Sequence, residues 1–221
     1  MYGRAGKRPR AVLYWQGSKK TEARRVSESK KRRVVFNAPA TLGFVIACFV
    51  IFLIDLLTNS TLRMRFFSVY RSSWSDPLTY FRFIGHVFGH GGWDHLVGNM
   101  LYILLLGPML EEKHGSSTVL FLMGVTALVT GLFAFLTMPG TISYGASGIV
   151  FAMILMSSFT EFRQGTVPLT FILVAVLYLG QQIYNMVTVG GNIGYAAHII
   201  GGAVGAVLGW ILNKQQGKKR Y

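Results

Sequence analysis

A serine sits between glycines in Gly145-Ala146-Ser147-Gly148, a histidine is followed by small residues in Ala197-His198-Ile199-Ile200-Gly201, and His95 and Asn99 stand four residues apart. These residue types suit acyl transfer without a metal. A serine hydroxyl attacks a carbonyl when an imidazole takes its proton and later returns it to the leaving amine. Glycines let the backbone bend tightly at the serine, and a helix starting there offers N–H groups with no intrahelical partner to the developing oxyanion. His95 and Asn99 share one helical face and can add side-chain donors. A structural reading stands beside the chemical one. Ser147 can be the N-cap of a membrane helix that begins at a glycine turn, and His198 can bridge two helices by a hydrogen bond.

The elements that must position these residues follow from composition. The 221 residues are 52% hydrophobic and 14% charged, and long uncharged runs follow one another from 41 to 212. That is the pattern of an all-α polytopic membrane protein. Six apolar segments are expected, at 40–57, 95–110, 117–138, 147–160, 167–189 and 195–212. They leave no room for a separate soluble enzyme domain, so any chemistry lies inside the bundle. Residues 1–39 form a basic arm, 40–212 the membrane domain and 213–221 a basic tail.

The net charge of +14 does not point to nucleic acid. Of 22 Lys and Arg, 12 lie in residues 1–33 and four in 214–220, beside membrane spans and with few aromatics on which bases would stack. The positive-inside rule and anionic lipid headgroups account for both clusters. An even number of spans then puts both termini on the cytoplasmic side. The arm has no apolar signal-peptide core and is expected to be retained and partly disordered, although an Arg-rich, acid-poor leader also fits an organellar transit peptide. The lone Cys48 forms no intramolecular disulfide.

The fourth segment decides where Ser147 lies. Ile149 to Thr160 reach roughly 18 Å as a helix, against a hydrocarbon core of about 30 Å. The preceding Pro139 to Ser147 must therefore descend as non-helical backbone, which membrane depth tolerates only inside protein or along a watery cavity. Ser147 is expected at the floor of such a cavity. In the sixth segment small residues recur at every fourth position, Ala197, Gly201, Gly205 and Gly209, and the fourth offers Gly148 and Ala152 at the same spacing. Packing through these stripes brings Ser147 and His198 within reach as a dyad. No acid is placed to orient the imidazole, and Phe151, one turn after Ser147, is the natural ring to do so.

Other polar residues have plainer expectations. Asp55 is expected to reach an interface, and Gln181, Gln182 and Asn185 to make interhelical contacts. The long loop from Asn59 to Asp94 is expected outside, where its four arginines, Arg63, Arg65, Arg71 and Arg82, run against the charge rule. His86, His90 and His95 beside Asp94 have a spacing open to a metal, but His-Glu-x-x-His is absent and Gly85, Gly89, Gly91 and Gly92 oppose a rigid helix. The expectation is no metal and no cofactor.

Taken together, Gly145-Ala146-Ser147-Gly148, the His95-x-x-x-Asn99 pair and Ala197-His198-x-x-Gly201 resemble, in order, the motifs of the rhomboid intramembrane serine proteases over about residues 40 to 212. The resemblance implies a six-helix rhomboid-like bundle with a short central fourth helix, Ser147 as nucleophile, His198 as general base, and His95, Asn99 and the Ser147 backbone as the oxyanion site. It implies structural roles for His86, His90 and Glu111, an outer loop partly embedded in the membrane, and gating by the fifth helix and a Gly190 to Gly194 cap. The implied substrates are transmembrane proteins. Two departures stand out: Phe81-Arg82 replaces a usual Trp-Arg pair, and Gly98 replaces a bulky gate residue of some bacterial members. Mitochondrial members tend to have an extra span, so the resemblance implies a bacterial inner membrane. An inactive rhomboid-like binding protein and a small transporter with a broken fourth helix are the rivals; the oligomeric state stays open.

Overall fold

The computed structural model describes residues 36–159 and 192–218, with shorter stretches between 169 and 188. Its first helix, α1 (Pro39–Leu57), opens with proline in the first turn, where the missing N–H costs nothing. The connection that follows holds α2 (Thr61–Phe66), α3 (Pro77–Gly85) and a 3-10 turn (His86–Phe88). Then come α4 (Trp93–His114) and α5 (Ser116–Thr137), joined at Gly115, then α6 (Ser147–Phe159), α7 (Leu169–Val174) and α8 (Asn192–Lys218).

Among the described residues, α1, α5 and the Gly194–Lys214 part of α8 are long and apolar enough to cross a bilayer. The fold is an all-α membrane bundle, as expected. Helix α4 is as long as α5, 22 residues, but carries Asp94, Glu111, Glu112 and Lys113 at its ends. Five of the six expected segments coincide with helices. The fifth is described only in part, and Gln181, Gln182, Asn185 and residues 1–35 of the basic arm lie outside the described residues.

Helix α6 is the centre of the bundle. It has 13 residues, about 20 Å of helix, too short to cross alone. All eight residues from Ile149 to Met156 are buried, the mark of a helix enclosed on every side. Its main partner is α8. A Cβ on Gly201 would overlap the Gly148 backbone carbonyl, and one on Gly205 the Ala152 carbonyl. Lipid tails are as apolar as leucine, so burial alone does not drive such a contact. Close backbone approach through small residues does.

Glu111 ties α4 to α1. Its carboxylate accepts from the N–H groups of Ala40 (2.9 Å) and Thr41 (3.0 Å) and from the hydroxyls of Thr41 (2.8 Å) and Ser116 (2.7 Å). A negative group at a helix N-terminus satisfies orphan donors and complements the helix dipole. The expected second segment, 95–110, stopped one residue short of this contact.

The connection between α1 and α4 is held by its own arginines. Arg82 is buried; its Nε donates to the Arg65 carbonyl (2.9 Å), its Nη1 to Asp76 (3.1 Å), and its guanidinium lies 4.6 Å from the Tyr70 ring centre. Asp76 also caps α3 by accepting from Leu78 N–H at 3.0 Å. Arg71 donates to the Phe135 carbonyl at 3.0 Å, beside the Trp74–Phe135 ring pair, whose centroids are 4.7 Å apart. Asp55 corrects the sequence expectation. Rather than reaching an interface it is buried, accepting from Arg63 N–H at 2.7 Å and pairing with its guanidinium at 3.4 Å.

Candidate active site

Ser147 is the first residue of α6 and is half-buried. The segment before it is held from two sides. Val69 and Ser143 exchange backbone hydrogen bonds of 2.8 and 2.9 Å, and Gly145 N–H donates to the His86 carbonyl at 2.9 Å. Gly145 has φ +120°, a conformation that side chains strain against, and a Cβ there would lie 2.7 Å from the His95 ring. Glycine is thus required twice over at the bend into Ser147. Ala146 begins the helical ladder by accepting from Val150 N–H at 3.0 Å. The N–H groups of Ser147 and Gly148 belong to the first turn, where no intrahelical acceptor exists.

The His95 ring therefore packs against the backbone two residues before Ser147. Asn99 lies one turn further along α4, its Nδ2 3.9 Å from the same Gly145 Cβ position. Asn99 is buried, and its amide is oriented by His90 through a contact of 3.2 Å to Nε2. The other ring nitrogen of His90 faces the Phe88 carbonyl at 3.2 Å. A carbonyl only accepts, so Nδ1 carries the hydrogen of the neutral ring, Nε2 accepts, and Asn99 must present its NH2. Burial, helped by the neighbouring His95, pushes the His90 pKa down to about 4 and keeps this tautomer pattern. Asn99 keeps a second amide hydrogen beyond the one given to His90.

His86 is a structural post. Its Nδ1 meets the Arg82 carbonyl at 3.2 Å, its Nε2 lies 3.4 Å from Thr130 Oγ1, and its carbonyl holds Gly145. Burial pushes its pKa down to about 4. His86 is thus engaged with a carbonyl and a hydroxyl and His90 with a carbonyl and an amide, and among the described residues no group of three or more metal-binding side chains occurs.

His198 lies on α8 with its ring stacked on Phe151, centroids 4.4 Å apart and planes 10° from parallel. The residue before it, Ala197, has its carbonyl 3.5 Å from the Gly148 Cβ position. The sequence neighbours of Ser147 and His198 therefore face each other across the α6–α8 seam. Phe151, Gly145, Gly148 and Gly201 all fall on this seam or on the bend above it. Sequence reasoning alone missed the Asp55–Arg63 pair, the Asp76 clamp on Arg82 and the His90 link to Asn99. Of these, only Asp76-Pro77, a capping residue before proline, left a sequence signal.

The rhomboid domain matches residues 77–215, more than half of the chain, and the chain belongs to the rhomboid family. Similar proteins come from several lineages. Rhomboid-like protein 11, chloroplastic, of Arabidopsis thaliana is 27% identical over 61% of this chain and 53% of its own length. Rhomboid protease GlpG of Serratia proteamaculans is 29% identical over 77% and 61%, and rhomboid-related protein 2 of Mus musculus 33% over 61% and 51%. The chain thus spans between half and two thirds of the length of these relatives. With its apolar helices, the family makes this an integral membrane protein.

Proposed function

We propose that this protein is an intramembrane serine endopeptidase that hydrolyses peptide bonds in transmembrane proteins. The observation that carries the reading is the stack of His198 on Phe151 across a seam where the Ala197 carbonyl lies 3.5 Å from where a Cβ on Gly148 would be. It supports a fixed imidazole beside the N-terminus of α6, which is what a dyad without an acid needs. The protease named among the relatives agrees with it.

In this reading Ser147 Oγ attacks the scissile carbonyl while His198 takes its proton. The C=O π bond opens, and the oxyanion is held by the first-turn N–H of Ser147 together with His95 and Asn99. Collapse of the intermediate breaks the C–N bond, His198 gives its proton to the leaving amine, and an acyl-enzyme remains. Water then attacks the ester, passes a proton through His198 to Ser147, and releases the carboxylate. No metal or cofactor enters any step. The basic ends support a reading with both termini on the cytoplasmic side and the basic arm on anionic lipid, and the count of six spans favours a bacterial inner membrane.

Purified protein reconstituted with a panel of transmembrane peptides tests the activity. Wild type is expected to cleave at least one of them, and Ser147→Ala and His198→Ala none. Cleavage surviving either substitution contradicts the proposed dyad.

A further inference from the structure

The four arginines of the α1–α4 connection divide into two pairs. Arg63 and Arg82 each meet a carboxylate, Asp55 and Asp76. Arg65 and Arg71 have no acidic partner among the described residues, and both line one cavity of about 650 Å³, with Thr61, Tyr70 and Thr141. No carboxylate lines it. Part of the wall is held in place. Arg71 is anchored by its bond to the Phe135 carbonyl and lies 5.1 Å from that ring's centre, while the Arg65 carbonyl is held by Arg82. Asn59 and Ser60, the two non-glycine residues with left-handed φ (47° and 67°) among those described, line the same cavity. Such backbone persists only where its surroundings hold it.

We infer that this cavity binds the phosphate of an anionic glycerophospholipid in the leaflet on the Ser147 side. Two arginines lining one cavity with the hydroxyl-bearing Thr61, Tyr70 and Thr141 suit a phosphodiester, since arginine's fork of donors fits phosphate oxygens. Met64 and Ile142 line the same cavity and are 37% and 45% exposed, which gives acyl chains an apolar exit and favours a lipid over free phosphate. None of its lining residues belongs to the basic arm, and the site stands whether or not the protein is a protease, because its test reads binding and not cleavage.

The full chain in uncharged detergent is titrated with dioctanoyl phosphatidylglycerol, dioctanoyl phosphatidylcholine and inorganic phosphate, with native mass spectrometry as readout. The Arg65→Gln/Arg71→Gln variant keeps the arm intact, so arm binding cancels in the comparison. Phosphatidylglycerol affinity is expected to fall about fivefold per arginine removed, with phosphatidylcholine unchanged and millimolar phosphate failing to displace the lipid. Arg65→Gln alone covers the case in which loss of the Arg71 anchor prevents folding. Affinity within twofold of wild type in the foldable variant overturns the site. Phosphate binding as tightly as the lipid overturns its assignment to a headgroup.

Discussion

Asn99 does not orient itself. His90 has one ring hydrogen, given to the Phe88 carbonyl, so its other nitrogen can only accept from the Asn99 amide. Under the proposed mechanism this fixes which end of Asn99 faces the oxyanion. Asn99→Ala should then lower kcat about 10²- to 10³-fold with little change in KM, the usual loss for one oxyanion donor. His90→Ala should lower kcat by less, and His90→Gln, which restores an acceptor, should recover part of it. Steady-state cleavage kinetics read all three; a KM effect without a kcat effect would assign these residues to substrate binding. The i, i+4 spacing of His95 and Asn99 was legible from sequence. The resemblance implied a structural role for His90, but its link to Asn99 was not legible, because it depends on how the chain turns between His86 and α4.

At the scale of elements, the seam between α6 and α8 positions everything else. Gly205 lies a turn below Gly201, away from Ser147, where a Cβ would overlap the Ala152 backbone. Gly205→Val should destabilise the fold by about 1 to 3 kcal/mol or more, since neither backbone can yield cheaply, and should reduce any cleavage in step. Gly124→Ala on α5 is the control, because nothing lies within 4 Å of a Cβ there. Thermal unfolding in detergent separates the two; an unchanged Tm for Gly205→Val would show that the helices can part without loss. The stripe was readable because its period is local. The arginine contacts of the α1–α4 connection were not, since pairs such as Arg71 and Phe135 lie far apart in sequence and share no period.

The whole molecule carries a pH dependence from its buried histidines. His86 and His90, on the connection before α4, are held neutral, with pKa values lowered from the ordinary 6.5 to about 4 by burial. The unfolded chain binds more protons than the folded one between those values, so stability is full above 6.5 and is lost as pH falls toward 4. Tm is expected to fall across that window in wild type and to fall less in His86→Gln, provided that variant folds. A Tm independent of pH there would mean the rings are solvated. The family and the bundle were legible from the segment pattern and three short motifs. The sequence could not say that Asp55 turns inward to Arg63, because an acid at the end of a span is as compatible with water as with a partner.

The central claim is that Ser147 is a nucleophile activated by His198. A serine-directed fluorophosphonate probe applied to the detergent-solubilised protein tests it without knowledge of the substrate. The account predicts labelling of the wild type and none of Ser147→Ala or His198→Ala. Equal labelling of all three proteins, or none of the folded wild type, would contradict it.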